Sequence, residues 1–239
     1  MSKFKIHFEL KSNLDEIAPF GEKESYSLSW FGLTDGLLWI TAGDKTVYEY
    51  SEAANHEWGG ETRYNDYYLS RFLEDFSEIF ESIAKPISRN LYDSVEGFEE
   101  LSEKMLDEIP DDNFDEKLDE YLEKTEWFRS RSFDSGHLIG GPIIGCFRCG
   151  DLLKFYWNSG YTLESSESIW TAPRGSLEIP YNEFVSEVKR FLAEFHAKMD
   201  EQVKRALEKD WGEIRVDKEY LAKENVERKI SFEQKTAKL

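Results

Sequence analysis

Residues 26–41, YSLSWFGLTDGLLWIT, place Thr34-Asp35-Gly36 between two aromatic-rich apolar runs. Glycine accepts the positive φ of a tight turn, so Asp-Gly between two such runs is typical of a β-hairpin. Residues 3–10 alternate charged and apolar side chains, which predicts a strand before this hairpin. A turn at Gly43-Asp44 leads to another strand over 46–50. We therefore expect the first fifty residues to form an antiparallel meander.

The middle of the chain has the spacing of helices. Residues 51–62 are small and polar and predict a loop. From Tyr64, apolar residues recur every three or four positions until Pro86, which ends the helix. The same spacing predicts a helix over 95–109 and another over 114–122.

Strands and a long helix follow. Alternating and aromatic-rich segments predict strands over 127–133, 138–147 and 152–157, and a further pair over 169–172 and 176–179. Residues 181–209 then have the clearest helical stripe in the chain, formed by Phe184, Val188, Phe191, Phe195, Met199, Val203 and Leu207.

This order of elements predicts an α+β fold, with antiparallel β-meanders (N-terminal and central) packed with a long C-terminal helix and an acidic helical middle segment. Without an internal linker, residues 1–212 are expected to form one domain that carries an acidic helical insertion at about 90–126. Residues 213–239 are expected to be a charged helical tail, with a helix over 217–229 and a frayed end.

The charge excludes some classes of function. The chain has 239 residues, 49 of them acidic and 30 basic, for a net charge of −19. Such a chain repels nucleic-acid phosphates and anionic membrane surfaces, so we expect neither partner. No apolar run approaches a signal peptide or a membrane span. Cys146 and Cys149 are interpreted as reduced thiols, which predicts a cytoplasmic protein without a metal or other cofactor.

The charge is concentrated. Residues 96–126 contain fourteen acidic and three basic side chains, more than half of the net charge of the chain. An amphipathic helical segment of this kind presents a fixed negative surface to a basic partner. The residues predicted to bind that partner are Glu99, Glu103, Asp107, Asp111, Asp112, Asp115, Glu116, Asp119 and Glu123.

Catalytic motifs are not found, and we consider two alternatives to a binding protein. One is an enzyme acting on a small molecule in a pocket between the sheet and the first helix, lined by Asp35, Arg63, Asp66, Asp134, His137 and Arg148. The other is a structural subunit that pairs with a second copy through exposed aromatic residues, for which the tryptophans at the strand ends are candidates: Trp30, Trp39, Trp157 and Trp170. His196 and Asp200, one turn apart, are interpreted as a surface pair.

The chain resembles a bacterial family of unknown function. The matching stretches span about 3–205 and include Trp30-Phe31-Gly32-Leu33-Thr34-Asp35-Gly36, Arg63-Tyr64-Asn65-Asp66-Tyr67 and Asp134-Ser135-Gly136-His137-Leu138. The family carries no established activity, so the resemblance implies only a shared fold and a bacterial cytoplasmic source. In composition the chain is also similar in type to the immunity proteins that neutralise secreted toxins.

The leading hypothesis is therefore a non-enzymatic binding protein, most plausibly an immunity or antitoxin-like inhibitor. Its acidic helical segment would face a basic toxin, for example a nuclease whose active site holds phosphates. Carboxylates at that site would compete with nucleic acid by presenting the same charge.

Overall fold

The fold was analysed in a computed structural model, which describes residues 3–22, 25–60, 62–110 and 114–239. Within these residues it contains two four-stranded antiparallel sheets and seven α-helices, so the predicted α+β class is confirmed. The strands are β1 (Phe4–Leu10), β2 (Asp35–Ala42), β3 (Lys45–Val47), β4 (Asn65–Tyr68), β5 (Ser132–Asp134), β6 (Ile143–Cys149), β7 (Leu152–Asn158) and β8 (Arg174–Pro180). The helices are α1 (Glu52–Trp58), α2 (Leu69–Glu78), α3 (Phe80–Ala84), α4 (Arg89–Asp107), α5 (Phe114–Arg129), α6 (Tyr181–Glu208) and α7 (Lys218–Thr236).

The N-terminal sheet is built around β2. One edge of β2 pairs with the whole of β1, and its other edge pairs with β3 and then β4. The predicted turn at Gly43-Asp44 is present, and Gly43 has φ +69°. The predicted strand over 46–50 is shorter, since β3 ends at Val47.

The hairpin predicted at Thr34-Asp35-Gly36 is wrong. Gly32–Thr34 is a short 3-10 helix, and Asp35 and Gly36 begin β2 instead of turning the chain. Gly36 is needed for close approach: a Cβ at this position would lie 2.2 Å from the carbonyl oxygen of Glu9 on β1. The Asp-Gly pattern identifies a place where only glycine fits, but the reason is strand contact and not a positive φ.

Other boundaries also differ from the predictions. The predicted loop over 51–62 contains α1, which Ser51 caps by accepting a hydrogen bond from the Ala54 amide at 3.1 Å. The helix predicted from Tyr64 begins only at Leu69, because β4 comes first. The strand predicted over 127–133 begins only at Ser132, because α5 continues to Arg129 and a turn follows it.

The second sheet has the simple order β5-β6-β7-β8. Of the predicted strand over 138–147, only the part from Ile143 is strand, and residues 169–172 form no strand but one isolated bridge, between Trp170 and Tyr50. The predicted strand over 152–157 and the predicted long helix are present almost as expected, as β7 and α6.

Helix α6 lies at the centre of the core. Its buried stripe includes Phe184, Phe191 and Phe195, which contact Phe4 and Phe8 of β1 at ring-centroid distances of 5.6–5.8 Å. Phe4 also contacts Phe155 of the second sheet, so both sheets contribute to one apolar cluster. The predicted stripe of α6 is therefore core.

The C-terminal segment is a packed helix. Helix α7 continues to Thr236, seven residues beyond the predicted end at 229, and buries Leu221 and Phe232. Asp217 caps it by accepting a hydrogen bond from the Tyr220 amide at 2.9 Å. Among the described residues, no helix is long and apolar enough to cross a bilayer.

Candidate functional site

Helices α4 and α5 form a helical pair, which we call the acidic hairpin (89–107 and 114–129). Phe98 in the middle of α4 contacts Trp127 and Phe128 in the last turn of α5, at ring-centroid distances of 4.5 and 5.2 Å. Near its N-terminus, α4 buries Tyr92 and Val95 in a small cluster against the second sheet. The base of the hairpin is thus anchored by apolar contacts.

Glu99 belongs to this anchored base. Its carboxylate accepts hydrogen bonds from the Tyr156 hydroxyl at 2.8 Å and from Nδ2 of Asn158 at 3.0 Å, both on β7. Burial raises the pKa of Glu99, and these two hydrogen bonds oppose the increase. Tyr92 makes a similar contact by donating to Glu178 at 2.7 Å. Glu99 therefore attaches α4 to the sheet and is not presented to solvent like the others.

The remaining predicted residues lie on the exposed part of the hairpin, except Asp111 and Asp112, which lie outside the described residues. Six of these predicted carboxylates are solvent-exposed and have no ion-pair partner among the described residues: Glu103, Asp107, Asp115, Glu116, Asp119 and Glu123. We call these the six unpaired carboxylates.

The lysines of the hairpin do not neutralise these groups. Lys104 pairs with Glu100 at 3.1 Å, and Lys117 and Lys124 pair with Glu120 at 3.0 and 3.6 Å. Each of these pairs lies within one helix, so the bases are taken up by neighbouring acids outside the set of six. The hairpin surface is therefore negative.

Apolar side chains are exposed on the same hairpin. Leu101, Leu106 and Phe114 are 51 %, 40 % and 43 % exposed, respectively. The helical spacing places these residues on helices but does not show whether another element covers them. Their exposure is the part of this candidate site that the sequence did not reveal, because it depends on which residues of the pair contact the second sheet. Apolar residues surrounded by charged ones are the usual composition of a protein-binding surface.

The residues of the alternative pocket are only partly brought together. Asp35 and Asp66 share Lys11, whose Nζ lies 2.9 and 3.4 Å from their carboxylate oxygens. Burial raises the pKa of Asp35, although Lys11 opposes this effect. This pair of acids therefore shares one base within the protein, which neutralises part of its charge.

The other four residues of the alternative pocket have separate contacts. Asp134 is exposed at the end of β5, and His137 packs on the ring of Tyr67 at 5.0 Å. Arg63 pairs with Glu49, whereas Arg148 donates to the carbonyl of Ala84 at 2.8 Å. None of the six predicted residues lines the groove between α6 and α7 or the groove beside β1, the two clefts described here.

The tryptophans predicted as possible interface residues are mainly core. Trp30, Trp157 and Trp170 are at most 3 % exposed. Trp39 is half-buried and stacks between His7 and Tyr64. These four side chains therefore do not provide an exposed aromatic surface for pairing two copies.

A groove of about 540 Å³ between α6 and α7 was not predicted from the sequence. Its floor includes Leu192 and Phe232, and its rim includes Lys229. His196 also lines it and is buried, so the interpretation of His196 and Asp200 as a surface pair is wrong. Asp200 accepts hydrogen bonds from Asn225 and Lys229 of α7 instead, at 2.8 and 3.1 Å.

Within the described residues, no cluster of three or more potential metal ligands occurs. Cys146 is buried in β6 and Cys149 is partly buried, and both are free thiols. Burial raises the pKa of the Cys146 thiol, which keeps it protonated and unreactive.

Comparison with known proteins supports the family assignment without supplying an activity. No curated protein and no solved structure matches the chain significantly. A family model described as a family of unknown function, DUF5984, matches residues 5–238, nearly the whole chain. The chain belongs to this family of unknown function.

Proposed function

We propose that this chain is a non-enzymatic binding protein and that its acidic hairpin docks on a basic surface of a partner protein. The observation that carries the proposal is the set of six unpaired carboxylates, which are exposed on one helical pair and have no ion-pair partner among the described residues. Such a surface accelerates encounter with a basic partner and rejects acidic ones.

The exposed apolar residues add an energetic component. Charged groups in water contribute mainly to association rate and specificity, whereas buried apolar area contributes to affinity. Covering Leu101, Leu106 and Phe114 would supply that area at the centre of a charged rim. The anchored base, with Glu99 bound to β7, holds the surface in a fixed orientation.

The partner of our proposal is a basic toxin, and the chain is its cytoplasmic immunity protein. A toxin that acts on nucleic acid has cationic groups arranged to hold phosphates. Carboxylates on a rigid hairpin would occupy those groups and exclude the substrate. Inhibition by charge mimicry needs no catalytic residue in this chain.

The proposal is tested by affinity capture from extracts of the source cells. Immobilised chain is expected to retain a basic protein at about 50 mM salt and to release it at about 0.5 M salt, since the Debye length falls from about 14 Å to about 4 Å. The captured protein is then assayed for toxicity with and without the chain. Retention of no basic protein, or retention that does not weaken as the salt concentration is raised, would contradict the proposal.

The toxin component has its own test. If the captured protein is a nuclease, added chain should inhibit it in proportion to complex formation. A basic partner whose activity is unchanged by the chain would support docking but overturn the immunity role.

A further inference from the structure

Strand β1 has a free edge, and the register identifies which backbone groups face it. The amide of Lys11 donates to the carbonyl of Asp35, and the amide of Gly43 donates to the carbonyl of Lys3. Both contacts belong to the β1–β2 ladder, in which hydrogen-bonded pairs alternate with non-hydrogen-bonded pairs. Ile6, Phe8 and Leu10 therefore direct their backbone N–H and C=O groups away from β2.

Helix α6 covers this edge at its N-terminal part. The Ile6 amide donates to Oε1 of Glu187 at 2.7 Å, and the Ile6 carbonyl accepts from Arg190 at 2.6 Å. Glu187 and Arg190 also pair with each other at 2.6 Å. Two side chains thus occupy the positions that a neighbouring strand would take at Ile6.

Helix α6 also covers the chain just beyond β1. Gln202 donates to the carbonyl of Lys11 at 2.9 Å, and Arg205 donates to the carbonyl of Ser12. Between these two covered points, the backbone groups of Phe8 and Leu10 have no hydrogen-bond partner among the described residues. The free edge is therefore reduced to a short window.

The window opens into a groove of about 650 Å³ between β1 and α6. Phe8 and Leu10 line one side, and Ala197 lines the other and leaves room for a side chain. On the rim, Glu201 pairs with Lys198 at 3.3 Å and Arg205 donates to the carbonyl of Ser12, whereas Glu9 has no ion-pair partner among the described residues. An apolar side chain flanked by a basic one fits this composition.

We propose that this groove binds an extended segment of a partner protein, which adds as a short strand to the edge of β1 at Phe8 and Leu10. Main-chain hydrogen bonds would supply affinity, and an aliphatic side chain against Ala197 with a lysine beside Glu9 would supply specificity. The covered positions at Ile6 and Ser12 limit the added strand to three to five residues. This site is separate from the acidic hairpin and does not depend on its proposed role.

The first test is amide hydrogen exchange, measured by NMR with and without the peptide acetyl-Lys-Val-Lys-Val-Lys-amide. In the free protein, the Leu10 amide should exchange at least tenfold faster than the Ile6 amide, which Glu187 protects. Millimolar peptide should slow exchange at Phe8 and Leu10. A slowly exchanging Leu10 amide in the free protein would overturn the proposal, because the edge would already be occupied.

Variants at Leu10 test the role of the backbone donor. Leu10→Pro removes an N–H that does not bond to β2, and proline is tolerated at such an edge position. It should weaken peptide binding at least about tenfold, whereas Leu10→Val, which retains the N–H, should change binding less than about threefold. Equal binding by both variants would contradict strand addition.

The peptide itself provides a control that does not depend on folding of the variants. In an added strand, the N–H groups of every second residue face β1, and the others face solvent. N-methylation of the set that faces β1 should abolish binding, and N-methylation of the other set should not. Equal effects of methylating the two sets, or no binding of any peptide, would overturn the proposal. Dimerisation of the free chain that Leu10→Pro abolishes would show that a second copy occupies the edge instead.

Discussion

The two helical pairs, α6–α7 and α4–α5, use their charges in opposite ways. Three bases of α7, and Lys238 just after it, bind acids on other elements: Arg228 with Glu74, Lys235 with Glu78, Lys238 with Glu81 and Lys229 with Asp200, at 2.5–3.1 Å. These pairs join the C-terminal helix to α2, α3 and α6. The carboxylates that attract them are thereby neutralised within the protein.

The acidic hairpin has fewer such ion pairs in the described part of the chain, since only Glu96 pairs with another element, with Lys154 of β7 at 3.8 Å. Its three lysines pair with acids of the same helix, and the six unpaired carboxylates have no ion-pair partner among the described residues. The acidic side chains of this molecule therefore fall into two groups. Those around α7 form ion pairs that hold the fold together, whereas the six unpaired carboxylates of the hairpin are free to bind a partner.

The largest difference in stability between the two regions is expected when a phenylalanine is replaced by alanine. Phe191 is fully buried in α6, so Phe191→Ala should lower the free energy of unfolding by about 4 kcal/mol. Phe114 is largely exposed on the hairpin, so Phe114→Ala should change it by less than about 0.5 kcal/mol. Urea denaturation measures both. A large loss for Phe114→Ala would mean that the hairpin packs on part of the protein.

The next effect concerns the ion pairs. Arg228 binds Glu74 and Glu224 and lies over the ring of Trp30 at 4.5 Å. Arg228→Met should lower the free energy of unfolding by about 2 kcal/mol, because Glu224 is left largely buried without its base. The matched control, Lys124→Met on the hairpin, should cost less than about 0.5 kcal/mol. If the two variants lose equal free energy of unfolding, the ion pairs of the hairpin stabilise the fold as much as those of α7, and the two regions do not differ in this respect.

His196 provides a pH test of the α6–α7 pair. Burial lowers its pKa, and Lys229 lowers it further, while Asp200 and Glu233 oppose them. The unfolded chain therefore binds a proton that the folded chain excludes as the pH falls below about 6.5, so stability falls with pH in that range. The effect is about 1.4 kcal/mol for each unit by which folding lowers the pKa.

The measurement compares wild type with His196→Gln by denaturation between pH 7.5 and 5. The variant should lack this component, so the stability of wild type relative to the variant should decrease as the pH falls. His56→Gln, at an exposed position, is the control and should leave the pH dependence unchanged. A parallel decrease in wild type and His196→Gln would show that other groups are responsible.

The smallest expected effect is on the hairpin charges. Neutralising the six unpaired carboxylates, by Glu→Gln and Asp→Asn, should raise the free energy of unfolding by a few tenths of a kcal/mol at low salt, because repulsion between like charges is relieved. The increase should disappear at about 0.5 M salt. A loss of stability would indicate that these groups have a structural role.

Much of the architecture was predictable because the spacing of apolar residues along the sequence indicates which face of a helix or strand is buried. The stripe of α6 and the alternation of β1 were predicted almost to their ends, since both faces of each element have distinct surroundings. The turn at Gly43 was likewise predictable from local chemistry. Such features depend on neighbours in sequence.

Features that depend on distant contacts were not predictable. Gly36 is required by Glu9 across the sheet, which the local Asp-Gly pattern cannot reveal. The end of the tail was expected to fray, because it is a charged chain terminus, but ion pairs to Glu74 and Glu78 and the burial of Phe232 hold α7 in place. On the hairpin, the sequence identified the charges but not which of them, like Glu99, would bind the sheet.

The central claim is that the position of the charges on the hairpin, and not net charge, determines partner binding. The most direct test compares capture of the partner by two variants of equal net charge. One neutralises the six unpaired carboxylates of the hairpin. The other neutralises six exposed acids elsewhere that have no ion-pair partner among the described residues: Glu57, Glu164, Glu167, Glu183, Glu208 and Glu213.

The account predicts that the hairpin variant loses at least about tenfold in affinity for the partner at about 50 mM salt, while the other variant stays within about twofold of wild type. Equal losses in the two variants, or retained binding by the hairpin variant, would contradict the account.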